Sequence, residues 1–158
     1  FTPEDMMALQ MDQKNVYARE FLDQMIGSIK AEDKVGEYGY LVKMLREWNQ
    51  IDDADAAAPL VFHKWIKQLP IVMLSKDMPK DVYKMFPGKG QITDQMMRDG
   101  YAGNPGAWLD EYGGVNKWVF DSFEQSVSDI KDQFGSKSAN WKWGDYHQLA
   151  YPNARSVA

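Results

Sequence analysis

The sequence predicts a mainly α-helical fold, a multi-helix domain with irregular central loops and a short extended C-terminal arm. Three observations predict it. Apolar residues recur at spacings of three and four in four separate stretches. Residues that favour helix ends stand at the borders of those stretches. Only one segment, near the C-terminus, alternates in the manner of a strand.

The chain opens Phe1-Thr-Pro-Glu-Asp5, where Thr2 suits an N-cap, Pro3 the first helical position and Asp5 the electropositive first turn. Ala18, Phe21, Leu22, Met25, Ile26 and Ile29 then form one stripe of a helix running to about Lys30. Tyr38, Leu41, Val42, Leu45 and Trp48 mark a second helix. Residues 49–53 are a polar connection. A third helix carries Leu60, Val61, Phe62, Trp65, Ile66 and Leu69 and is expected to end at Pro70, which cannot donate the next helical hydrogen bond.

From Pro70 to Gly114 the chain is punctuated by proline and glycine, and short helices are expected over 80–86 and 92–98. Val115, Trp118, Val119, Phe123, Val127, Ile130 and Phe134 then mark a long amphipathic helix closed by Gly135. Trp141, Trp143 and Tyr146 give the strand-like alternation. One strand makes no sheet, so its backbone partners are expected outside this chain. The expected division is a helical unit over 1–135 and an extended arm over 136–158.

Composition narrows the function classes. The 158 residues are 44% hydrophobic and 26% charged, an ordinary globular mixture, with 13% aromatic residues available for large packed surfaces. Net charge is −5 and the Lys and Arg residues are scattered, which argues against nucleic acid as a partner. No apolar run approaches the roughly 18 residues of a membrane span. There is no cysteine, so disulfides, thiolate metal sites and a cysteine nucleophile are excluded.

Candidate chemistry is sparse. Of the two histidines, His63 lies within the third helix beside Phe62 and Trp65 and reads as an ordinary helix histidine. His147 follows the Trp-rich segment, with no Ser and Asp in any recognisable relation to it. Asp52, Asp53 and Asp55 invite a calcium reading, but counting from Asp53 an EF-hand loop needs Gly and Glu where Ala58 and Lys64 stand. These acids are expected to face the N-terminus of the third helix. The ten methionines suit adaptable core packing.

The order of several landmarks is familiar. Phe1-Thr-Pro-Glu-Asp-Met6 with Leu9, Gln10 and Asp12 resembles the start of a helix in the penicillin acylase family. Leu45-Arg-Glu-Trp48 is similar to that family's Leu-x-x-Trp-Asp-Gly stretch, and Ala56-Ala-Ala58 before Phe62 and Trp65 to the small-residue helix that follows it. Trp141-Lys-Trp-Gly144 with His147 matches the family's Trp-x-Trp-Gly-x-x-His signature, the most specific of the four. Two departures stand out. Asn49-Gln50 replaces the usual Asp-Gly, and Tyr151-Pro152 stands where the family often has His-Pro.

The resemblance implies an exported (secreted or periplasmic), self-processed amidase with the αββα N-terminal nucleophile fold. This chain would be an internal segment of its large (β) subunit. Such enzymes cleave a linear amide between an acyl chain and a β-lactam nucleus or a homoserine lactone. A serine at the new N-terminus attacks, and its own α-amine, with an ordinary pKa of roughly 7.7–8.0, takes the proton. Phe1 carries no hydroxyl, so the chain is expected to be cut from a longer polypeptide and to be inactive alone. Its partners would be the rest of that polypeptide and, for the whole enzyme, a small acyl amide.

No cofactor is expected here, although some relatives bind calcium. Trp141, Trp143, Gly144 and His147 carry over as motif positions, with a structural role favoured over a catalytic one. The alternative from another class is a free-standing helical module that binds a partner through aromatic surfaces.

Overall fold

The computed structural model describes residues 1–75, 77–86 and 89–148. It is mainly helical. Helix α1 (Pro3–Gln10) starts with a complete capping box, in which Thr2 Oγ accepts from the Asp5 amide and the Asp5 carboxylate accepts from the Thr2 amide. A separate helix α2 (Val16–Ala31) follows, capped by Asn15, whose side-chain oxygen accepts from the Ala18 amide at 2.8 Å. Its stripe Phe21, Leu22, Met25, Ile26 and Ile29 is buried, as its spacing predicts. Helix α3 (Val35–Glu47) buries Tyr38, Leu41, Val42 and Leu45.

Helix α4 (Ala57–Leu74) corrects the expected stop at Pro70, because the helix runs through the proline for another turn. Leu69, Met73 and Leu74 on either side of Pro70 are buried, and their burial outweighs the one hydrogen bond the proline cannot donate. Short helices α5 (Lys80–Met85) and α6 (Lys89–Tyr101) lie near their expected places. Helix α7 (Ala107–Tyr112) was not anticipated. It has one buried residue, Leu109, and six residues give no readable period. Its end is fixed by Gly113 at φ 103°, with the Gly114 amide donating back to Leu109 O at 2.7 Å.

Helix α8 (Val115–Phe134) is the long amphipathic helix, and Gly135 at φ 82° ends it. It lies centrally, with α4 and α2 as its principal neighbours and α6 and α7 against it as well. The α4–α8 contact is cross-braced. Trp65 Nε1 donates to Val119 O at 2.8 Å, and Trp118 Nε1 donates to Leu69 O at 3.0 Å.

The strand-like arm is a second correction. Residues Ser138–Asn140 form a 3₁₀ turn and Trp143–Tyr146 a helical turn, α9, packed on α4. Only Trp141 and Lys142 between them are extended. The alternation arose because Trp141 and Trp143 are both buried anchors, not residues on one face of a sheet. The backbone partners of this segment lie inside the chain, since the Trp143 and Gly144 amides donate to Ala56 O and Ala54 O at 3.0 and 2.8 Å. Tyr151-Pro152 lies outside the described residues. Among the described residues there is no strand, only an isolated antiparallel bridge between Lys14 and Ile51, and no helix long and apolar enough to cross a membrane.

Candidate functional site

The bridge between Lys14 and Ile51 brings the loop before α2 against the loop before α4. The Asn15 amide donates to Gln50 O at 2.7 Å and the Asp52 amide to Gln13 O at 2.9 Å. This places the Asn15 side chain beside Asp52, with its Nδ2 3.1 and 3.2 Å from the two carboxylate oxygens. Nearly two turns into α4, His63 Nε2 stands 2.8 Å from Asp52 Oδ2. A carboxylate accepts and does not donate, so His63 carries a proton on Nε2. The 3.1 Å approach of Asn15 Nδ2 to the same nitrogen is then two donors converging on one carboxylate, not a hydrogen bond between them.

The acids therefore do not serve as expected. The first turn of α4 has no side-chain cap, and Asp52 turns to His63 and Asn15 instead. Asp53 Oδ1 accepts the Asp55 amide at 2.9 Å. Lys142 Nζ donates to Asp55 Oδ1 at 2.8 Å and holds that carboxyl below its ordinary 3.8. Each acid has a separate partner. Among the described residues no group of three or more His, Asp or Glu converges to hold a metal ion.

The four motif residues sit on this framework. Trp141 is buried and its indole donates to Gly135 O at 2.8 Å. The Trp143 indole is stacked by His63, with centroids 4.2 Å apart and planes 15° apart, and by His147 at 4.7 Å and 7°. Both histidines of the chain thus meet on one tryptophan. Gly144 lies against the loop before α4, where a Cβ would come within 3.1 Å of Ala54 Cβ and 3.2 Å of Ala54 O. Any side chain at this position would press Ala54 back by a few tenths of an ångström, and glycine avoids that crowding. The His147 amide donates back to Trp143 O at 2.9 Å. The structure brings Trp143, Gly144 and His147 together, while Trp141 anchors separately at the end of α8.

Sequence reasoning missed Asn15, assigned Asp52 to the N-terminus of the third helix, and treated His63 as an ordinary helix histidine. The separations of 37 and 48 residues along the chain leave no local trace of these contacts. A hint lay only in the position of Asn15 just before an apolar helical stripe, where an N-cap belongs.

Chemically, Asp52 and His63 form the carboxylate–imidazole half of an acid–base relay. Among the described residues no serine or threonine hydroxyl completes it. The buried Ser28 hydroxyl is engaged with Tyr101 and Asn116, and Ser122 and Ser126 donate to carbonyls of their own helix. The cluster fixes α9 to the loops before α2 and α4. It is a clasp, made of two imidazoles, one indole and one carboxylate.

No curated protein matches the chain. The profile of the penicillin amidase family matches residues 1–156, a span that holds all four sequence landmarks and the whole clasp. The chain therefore belongs to the penicillin amidase family.

Proposed function

We propose that the chain is a supporting helical part of a self-processed amidohydrolase that cleaves a linear amide, freeing an acyl chain from a β-lactam nucleus or a homoserine lactone. The observation that carries this reading is the family match over residues 1–156. In the proposed enzyme an N-terminal serine outside this chain attacks the amide carbonyl, and its α-amine takes the proton. The αββα catalytic body, reached through residues 136–158, is covered by the helices, and the enzyme works outside the cytoplasm. The Trp-x-Trp-Gly-x-x-His signature supports a structural part for these residues, because Trp143 is closed between imidazoles and Gly144 against Ala54.

Hydrolysis of a chromogenic phenylacetyl amide tests the proposal. The polypeptide encoded by the complete reading frame should turn the amide over and lose activity when its N-terminal serine is replaced by alanine. The 158-residue chain alone should give no turnover. Robust hydrolysis by the chain alone, or none by the complete polypeptide, would overturn the reading.

A further inference from the structure

Of the six tryptophans, Trp108 stands apart, because it is 52% exposed while the other five are buried. It stands on α7 between two clefts. The larger, of about 490 Å³, opens between the C-terminal end of α4, α7 and the start of α8, over the buried Met73 and Leu74. The smaller, of about 340 Å³, lies on the α6 side, against Ile92 and Met96. A concave space of several hundred Å³ over an apolar floor, with a few polar groups at its edge, has the make-up of a small-ligand site.

The charges of the larger cleft select the ligand. Among the described residues Lys117 is its one base, and Lys117 is already engaged, donating to the Asp121 carboxylate at 2.9 and 3.1 Å. The Tyr112 hydroxyl donates to the same carboxylate at 2.8 Å. Asp77 and Glu111 also line the cleft, and neither has an ion-pair partner among the described residues. Glu111 follows Trp108 by three positions on α7, so the carboxylate and the indole share one helix face. An anion would have to draw Lys117 away from Asp121 and lie beside two unpaired carboxylates. A cation meets those carboxylates and an accessible indole, to which it is attracted in its own right.

We propose that this cleft binds a small organic cation, an ammonium group carrying an apolar substituent. The substituent rests on Met73 and Leu74, and the ammonium group lies between Trp108 and Glu111. This binding is separate from the hydrolysis proposed above and does not depend on it.

Benzyltrimethylammonium is a suitable probe, because its charge is permanent and it needs no hydrogen-bond acceptor. Titrated into the 158-residue chain, it should shift the Trp108 indole resonance saturably and leave the buried indoles in place. By calorimetry, Trp108→Ala should weaken binding about ten-fold. Glu111→Gln, a change at an exposed side chain, should weaken it about three-fold. Neutral benzyl alcohol and anionic benzoate should each bind at least about ten-fold more weakly than the cation. Should Trp108→Ala fail to fold, Glu111→Gln and the two uncharged or anionic probes decide the matter.

Equal affinity for benzyl alcohol would make the cleft a plain apolar surface and overturn the proposal. Tighter binding of benzoate would overturn it too, by assigning the site to Lys117. So would an affinity that neither substitution changes, or no saturation by the cation below about 10 mM.

Discussion

Gln50 has φ +61°, in the left-handed region where a side chain is strained, and it stands where the resembling family pattern has glycine. The strain is held in place by its neighbours. The Gln50 carbonyl accepts the Asn15 amide at 2.7 Å, and the Ile51 amide donates to Asn49 Oδ1 at 3.0 Å. The bridge that sets Asp52 beside His63 thus depends on a backbone shape for which glutamine is poorly suited. Gln50→Gly should raise stability by about 0.5–1 kcal/mol, the relief of the left-handed strain less the extra freedom of glycine in the unfolded chain. The midpoint of urea unfolding measures this, and an unchanged or lowered midpoint would show that no strain was stored there.

Among the elements, α4 and α8 depend on each other through their paired indoles. Trp65 and Trp118 are both fully buried, and each donates to a carbonyl on the opposite helix. Each bond satisfies an N–H that would otherwise be stranded in an apolar interior. Trp118→Phe removes the donor and part of the ring volume, and should cost about 2–3 kcal/mol. Trp65→Phe should cost a similar amount. Because both rings brace the same crossing, the double variant should lose less than the sum of the two. Strict additivity in denaturant titrations would show that the two braces act independently. Pro70 stays helical for a related reason, since the turns on both sides of it are held by buried Leu69, Met73 and Leu74.

For the whole molecule, tyrosines tie the helices together and make the fold sensitive to alkali. Burial, reinforced by the neighbouring carboxylates of Asp94, Glu124 and Asp121, raises the hydroxyls of Tyr17, Tyr38 and Tyr112 well above their ordinary 10.0. Burial pushes Tyr101 up to about 12, against the opposing hydrogen bond from Ser28. Each is held neutral in the fold while the unfolded chain ionises near pH 10, so the folded state binds more protons there. Their contribution is therefore complete below about pH 10 and lost as the pH rises through the folded values. Tyrosinate absorbance should lag behind free tyrosine until the helical signal collapses, and Tyr101→Phe should flatten the alkaline fall in stability. Full ionisation with intact helicity would contradict this.

The apolar periods of α2, α3, α4 and α8 were legible because each helix buries one stripe, and a stripe at spacings of three and four is a local property. Gly135 was legible as a stop for a similar reason, since the positive φ of a helix end is a local demand that glycine meets. The family resemblance also lay in the sequence, in Trp141, Trp143, Gly144 and His147. Tertiary structure alone decided the rest. It carried α4 through Pro70, folded the supposed strand into α9, and joined Asn15, Asp52 and His63 beneath Trp143. These outcomes depend on burial and hydrogen bonding between residues eleven or more positions apart, where the chain's local preferences carry no information.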